Sequence, residues 1–405
     1  MVRKARFDTR RVPMNPMFGI NALVAATAPP PIPAAAAWGE LYAGNAGLIN
    51  LAQAVPGDPP PPALLARLSQ IAAGVEATGY GPIFGDTELR TALAKDINRI
   101  YGADCTTDDI AITAGCNQAF FVAMIGLCAS GGEVIVPTPF YFNHKMTLDM
   151  LGIGTRLLPC EAADGYVPRV EAARALIGPD TRAIVLVTPN NPTGAVYPDA
   201  AIRAFHDLCA EAGIALILDE TYRDFLPAGM ELAHSLFAEA DWRETLVHLY
   251  SFSKSYAVPG YRLGAIAASP DLLAEVAKVM DCLQICAPRV GQPAIAWAID
   301  GLAAWRRDTR ESINARADVL REVIAQVPGW SIASTGAYFA FVRYPSAEDD
   351  TVVAERLARE QGVVTLPGSF FGAPAGPEGH LRIAFANVGA DSLRLLPERL
   401  RALRF

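Results

Sequence analysis

Between about residues 50 and 288, short aliphatic or β-branched runs alternate with segments of helical length. Runs at 134–136, 183–187, 215–218 and 246–250 predict strands, and their regular alternation with helices implies a mostly parallel sheet covered by helices. From residue 289 the pattern changes. Long charged helices are expected at 305–327, 351–361 and 391–403, flanking apolar runs at 338–343 and 381–385, which reads as a smaller α+β unit. The first forty-odd residues mix proline, alanine and apolar residues, most densely at 29–37, and predict an extended arm. Proline-rich 56–62 reads as a linker. The expected division is an arm with part of the small domain at 1–48, a large domain at 49–288 and a small domain at 289–405.

Composition narrows the function classes. A chain of 405 residues with 52% hydrophobic content can bury a sizeable core, yet stretches such as 119–129 are too short or interrupted to span a bilayer. A formal charge of -8, with no lysine or arginine run, argues against nucleic acid and for small-molecule ligands. The amino terminus is basic (Arg3, Lys4, Arg6, Arg10, Arg11), but no apolar core follows before Pro13 and Pro16, so no export signal is expected. Seven cysteines without a Cys-x-x-Cys pair, and five histidines without metal spacing, favour reduced thiols in the cytoplasm and no metal site. Of 34 basic residues only five are lysines, at 4, 95, 145, 254 and 278.

Ligands of open α/β sheets bind beyond the carboxyl ends of strands. Three such ends carry polar chemistry. One opens into Thr188-Pro189-Asn190-Asn191-Pro192-Thr193-Gly194, a turn in which Asn191 can donate an amide hydrogen bond. Another ends in Asp219-Glu220-Thr221-Tyr222, where a carboxylate can pair with a cationic ligand atom. The third ends in Ser251-Phe252-Ser253-Lys254. Lysine can lose its proton and form a Schiff base, which arginine cannot, so Lys254 in an arginine-rich chain points to an amine nucleophile.

Residues 251–264 resemble throughout the lysine signature of class I/II aminotransferases, the fold-type-I relatives of aspartate aminotransferase. The resemblance extends in the family's order through residues 80–93, 113–119, Pro139-Phe140-Tyr141, 190–194, 219–222 and Leu381-Arg382-Ile383. It implies a pyridoxal-phosphate enzyme, an α-amino acid and a 2-oxo acid as substrates, and a homodimer. Lys254 would hold the cofactor as an imine and move the substrate α-proton, and Asp219 would pair with the pyridine nitrogen. Asn191 and Tyr222 would bond the phenolic oxygen, and Tyr141 would stack on the ring. Ser251, Arg262 and the amides of Gly115, Cys116 and Asn117 would hold the phosphate, joined by Tyr80 from a second subunit. Arg382 would clamp the substrate α-carboxylate. None of the histidines has a role in this reading.

A nucleotide hydrolase lacks its phosphate loop, and a serine hydrolase lacks Gly-x-Ser-x-Gly. The arm is too short and proline-rich for the helix-turn-helix of an aminotransferase-like regulator. A carbon–sulfur β-lyase, a ring-forming synthase or a racemase could use the same residues, because motifs fix the cofactor and not the fate of the carbanion. Relatives acting on aspartate in the nearest subgroup carry lysine where this chain has Asn117, and many have glycine at Ala54. The expected substrate is therefore neutral, aromatic or large aliphatic. Ala54 and Ile20 are expected at the substrate, with Phe18, Tyr141, Phe370 and Phe371 completing an apolar pocket.

Overall fold

The computed structural model describes residues 18–44 and 46–405, so the basic residues 3–11 lie outside it. Its centre is a seven-stranded sheet in the order Ile110–Thr113, Gly264–Ala267, Leu246–Ser251, Ala215–Asp219, Thr181–Val187, Glu133–Thr138, Gly154–Pro159. All neighbours pair in parallel except Gly264–Ala267, which runs antiparallel to both of its partners. The alternation of side chains along a strand explains why these runs are almost wholly apolar. Ile184, Leu186, Leu216 and Leu218 enter one buried cluster, whereas Ala183, Val185, Val187 and Ile217 enter another on the opposite face. Helices such as Cys116–Leu127 and Asp199–Ala212 supply the covering layers.

The carboxyl-terminal part builds a four-stranded antiparallel sheet, ordered Leu366–Pro367, His380–Ala384, Phe339–Arg343, Ser331–Gly336. Helices Ala303–Ala325 and Asp350–Gln361 pack on it through a core that includes Leu320, Phe339, Val353, Leu357 and Ile383. The two sheets approach closely at the 190–194 turn. A Cβ placed on Gly194, whose φ is +76°, would lie 2.3 Å from the Gly336 nitrogen, so glycine is needed there on both counts.

Two expectations need correction. Residues 31–37 are not extended: Pro31–Glu40 is a helix, and of 29–37 only Pro29 and Pro30 precede it, Pro30 keeping an extended backbone. Proline is tolerated in a first helical turn, where its missing N–H has no intrahelical role, and the four alanines that follow are strong helix formers. Residues 391–403 form two helices, Ala390–Arg394 and Leu396–Ala402, with Pro397 at the start of the second. The amino-terminal helix joins the carboxyl-terminal unit: Ala35 shares a buried cluster with Ala358, Val364, Leu366 and Phe371, and Ile49–Asn50 pairs in parallel with Val363–Val364.

Candidate active site

Five of the parallel strands end at one edge of the large sheet, and the chain there turns into segments carrying Gly115, Tyr141, Asn191, Asp219 and Lys254. They surround a cleft of about 430 Å³, which Arg382 enters from the small sheet and Ala54 from the segment after Ile49–Asn50. Cys116, Asn117, Tyr222, Ser251 and Arg262 also line it.

Lys254 sits on the single helical turn Phe252–Ser255, whose amino end is capped by the Ser251 hydroxyl accepting from the Ser253 N–H at 3.3 Å. Its Nζ donates to the Ala54 carbonyl at 2.5 Å. Burial, reinforced by the charges of Arg262 and Arg382, pushes the amine down from 10.5 to about 8.

Asp219 is buried at the cleft floor. One oxygen accepts from the Thr221 N–H at 2.9 Å and the other lies 3.2 Å from His144 Nε2. Burial raises the carboxyl's pKa, but the hydrogen bond and charge of His144, with those from Thr221, outweigh it and hold the group below its ordinary value. The His144 ring is itself fixed, stacked on Phe120 at 4.0 Å and edge-on to Tyr141 at 5.2 Å. His144 therefore belongs to the site, although sequence reading gave it no role. It stands three residues after Tyr141, in the first turn of helix Phe142–Leu151, a spacing that by itself does not point to Asp219.

Tyr141 donates its hydroxyl to Asn117 Oδ1 at 3.3 Å and accepts from Asn143 Nδ2 at 3.1 Å. The Tyr222 hydroxyl has no hydrogen-bond partner among the described residues, and burial pushes its pKa well up. Gly115, with φ +86°, leads into helix Cys116–Leu127. A Cβ there would stand 2.2 Å from Arg262 Nη2, so the bare turn lets the guanidinium lie beside the helix's free N–H groups, an arrangement that attracts anions. Among the described residues Arg262 donates only to the carbonyls of Pro259 and Ala114.

Arg382 is 1% exposed. Nη1 donates to Asn191 Oδ1 at 3.1 Å, Nη2 donates to the Ala52 carbonyl, and Nε has no partner. Burial pushes its pKa down to about 10, which leaves it charged at neutral pH. Among the described residues no carboxylate pairs with Lys254, Arg262 or Arg382.

Phe18, Ile20, Phe370 and Phe371 are expected at the substrate, and none of the four lines the cleft. Ile20 is 62% exposed and Phe18 is 74% exposed, and neither lines the cleft; the arm instead contributes Pro30 and Ile32. Helix formation at Pro31–Glu40 fixes that choice, since it docks Ile32 beside Ala35 and brings its N-cap, Pro30, to the cleft. Phe370 packs on Trp38 at 6.3 Å, and the Phe371 ring centre lies 4.9 Å from the Arg382 guanidinium carbon. Tyr80, expected at a second subunit's phosphate, does not line this cleft, and 78% of its surface is exposed. Gln53, Val55, Phe142 and Asn143 line the cleft without having been expected there.

The family model described as aminotransferase class I and II matches residues 46–400. An aromatic aminotransferase of Arabidopsis thaliana is 30% identical over 361 residues, covering 87% of this chain and 89% of that protein. A methionine aminotransferase of Escherichia coli is 30% identical over 359 residues, covering 88% and 92%. Among solved structures, the aspartate aminotransferase of Thermus thermophilus with maleate superposes with a TM-score of 0.87 at 28% identity, covering 95% of this chain and 99% of that one.

Proposed function

The chain belongs to the class I and II aminotransferases and is a transaminase; from that premise we propose that it uses pyridoxal 5'-phosphate to move the amino group of a neutral, aromatic or large aliphatic α-amino acid to a 2-oxo acid. One observation carries the reading. Three cations without carboxylate partners converge on a cleft whose one lining carboxylate, Asp219, is already held by His144.

Such a donor set fits a ligand with two separated anionic groups and a basic ring nitrogen. Arg262, Ser251 and the N–H groups at Gly115, Cys116 and Asn117 would hold the phosphate, and Arg382 the substrate α-carboxylate. When bound, the cofactor supplies an aldehyde that condenses with amines and a ring that accepts the electron pair left at the substrate α-carbon. Lys254, with its pKa near 8, is unprotonated in about a tenth of molecules at pH 7 and can take and return that α-proton. Asp219, kept ionised by His144 and Thr221, would hold the ring nitrogen protonated. Asn191 and the unpartnered Tyr222 hydroxyl are the donors for the phenolic oxygen, and Tyr141 offers its ring as a face.

The substrate assignment rests on what faces the rest of the cleft. Pro30, Ile32, Val55, Tyr141 and Phe142 are apolar or aromatic, Asn117 is neutral, and Arg289 is engaged with Asp86 at 3.3 Å and the Glu76 carbonyl at 2.8 Å. Burying an unpaired distal carboxylate there costs several kcal/mol, whereas an apolar side chain gains about 1.5–3 kcal/mol. Relatives named for aromatic substrates and for methionine support the same class. Specificity constants for phenylalanine, leucine, methionine and aspartate with one 2-oxo acid acceptor test it, and a preference for aspartate overturns it.

We further read the protein as a cytoplasmic homodimer with shared sites, divided at residues 49 and 289. Support comes from exposed Phe18, Ile20, Leu23 and Val24 on the arm, from the exposed Tyr80 ring that a second subunit's phosphate would engage, and from seven free cysteines. No helix among the described residues is long and apolar enough to cross a membrane. Sedimentation showing an active monomer at assay concentration contradicts the dimer.

A further inference from the structure

A second cavity, of about 190 Å³, opens between the end of helix Thr87–Tyr101, the chain after Arg223–Phe225 and the first turns of helix Ala303–Ala325. It shares no lining residue with the cleft. Five arginines line it: Arg99, Arg223, Arg306, Arg307 and Arg310. Only two carboxylates do so, Asp224 and Glu231, while Asp96 beneath reaches Arg99, Arg223 and Arg306. Five guanidiniums against three carboxylates leave an excess of two positive charges.

Internal pairing does not use these donors up. The Arg223 side chain is 3% exposed, yet its Nε and Nη1 have no hydrogen-bond partner, and neither has Nε of the buried Arg306. These atoms face inward, with the Arg223 guanidinium carbon 3.9 Å from the Tyr250 ring centre, so both arginines act on the cavity through their charge. Arg310 gives its N–H groups to the carbonyls of Leu226, Pro227 and Met230, which fixes the cavity wall while leaving its charge unopposed by a carboxylate. Arg307 makes no ion pair or hydrogen bond among the described residues.

We infer that this cavity is a binding site for a small oxyanion carrying two negative charges, of the size of phosphate or a short dicarboxylate. The volume is below the roughly 300–1,000 Å³ of pockets for larger organic ligands. The planar fork of arginine matches the oxygens of phosphate and carboxylate alike. Occupancy would reach the transamination site through Asp224, which accepts from Arg306 Nη1 at 2.9 Å and, on its other oxygen, from Ser255 Oγ at 2.6 Å. Ser255 directly follows Lys254, so an anion that draws Arg306 from Asp224 loosens the turn carrying the lysine.

Calorimetric titration of the cofactor-loaded enzyme with inorganic phosphate and, separately, malonate tests the site, because the cofactor then already fills the cleft's own phosphate position. Saturable binding of at least one ion with Kd below about 1 mM is expected, weakened about tenfold or more in Arg307→Gln or Arg99→Gln. Arg307 is exposed and outside the cleft, so transamination in the absence of the ion should be unchanged in that variant. Malonate can also meet Arg382, so only the part of its binding lost in Arg307→Gln is counted; stronger binding of phosphate than of that part identifies a phosphate site, and the reverse a dicarboxylate site. No saturable binding of either ion by about 10 mM, or binding undiminished in both variants, overturns the inference.

Discussion

Replacing Arg382 with lysine separates recognition of the α-carboxylate from every other role of the site. The native guanidinium is held by Asn191 and the Ala52 carbonyl, with its carbon 5.2 Å from the Phe339 ring centre and 4.9 Å from that of Phe371. Lysine keeps the charge but is a point donor on a flexible stem, and cannot present two parallel N–H groups to a carboxylate. A hydrogen bond to a charged partner contributes about 1.5–3 kcal/mol. Losing one prong should therefore lower kcat/KM roughly 10- to 150-fold. The oxygens of Asn191 and Ala52 left unpaired act instead on stability, so the melting temperature should fall as well. The assay is single-turnover amino transfer to the enzyme-bound cofactor, with phenylalanine and with phenethylamine, which lacks the carboxylate. Phenylalanine should show the loss, while phenethylamine stays within about twofold of the wild type. Equal losses for both amines would refute the reasoning, because Arg382 would then act through the fold or the cofactor.

Capture of the cofactor by the apo-protein should speed up as pH rises through about 8, because Lys254 reacts only when unprotonated and burial has lowered its pKa; an inflection near the ordinary 10.5 would contradict this. Borohydride should fix the cofactor on the peptide containing Lys254, and Lys254→Ala should lose turnover by several orders of magnitude with its melting temperature kept; label on Lys95, Lys145 or Lys278 would exclude the assignment. Asp219→Asn should slow α-proton exchange, followed by loss of substrate deuterium, far more than it weakens cofactor binding, and His144→Asn should act in the same direction by roughly tenfold; unchanged exchange in both would remove the pair from the chemistry. Gly194→Ala should cost at least about 2 kcal/mol in urea unfolding, since it adds a strained positive φ to a clash with the Gly336 backbone; a change below about 0.5 kcal/mol would show that the two sheets are not tightly apposed there.

The sheet was legible because its physical cause is local. A strand covered on both faces must be apolar at every position, and the runs at 183–187 and 215–218 lie within the observed Thr181–Val187 and Ala215–Asp219. The polar residues that end those runs were legible for the same reason, as the first groups released from the core at the sheet's edge. His144 was not. Its partner Asp219 is far away in sequence, and nothing in the spacing Tyr141-x-x-His144 reveals that the ring will be stacked on Phe120 with Nε2 toward a carboxylate. Contacts of that kind are made only when separate strands come together.

The arm shows the opposite failure, in which a correct local signal was given the wrong consequence. Proline at 29–33 does oppose a helix interior, but Pro31 occupies a first turn, and the alanines beyond it form a helix that docks through Ala35 on the carboxyl-terminal unit. That docking decides which apolar residues meet the substrate. Pro30 and Ile32 are carried by the body that also holds Leu366 and, through its pairing with Leu366, Arg382. Lys254, Asp219 and Tyr141 are carried by the large sheet. On the proposed function the two bodies would divide the substrate between them, the carboxyl-terminal one reading the α-carboxylate and part of the side chain, and the large one handling the amine and the α-proton. A side chain that packs on Ile32 while its carboxylate is held by Arg382 would bring both contacts to one body, so side-chain preference and α-carboxylate recognition should be coupled, and substitution of Ile32 in the arm, remote in sequence from the lysine signature, should change both.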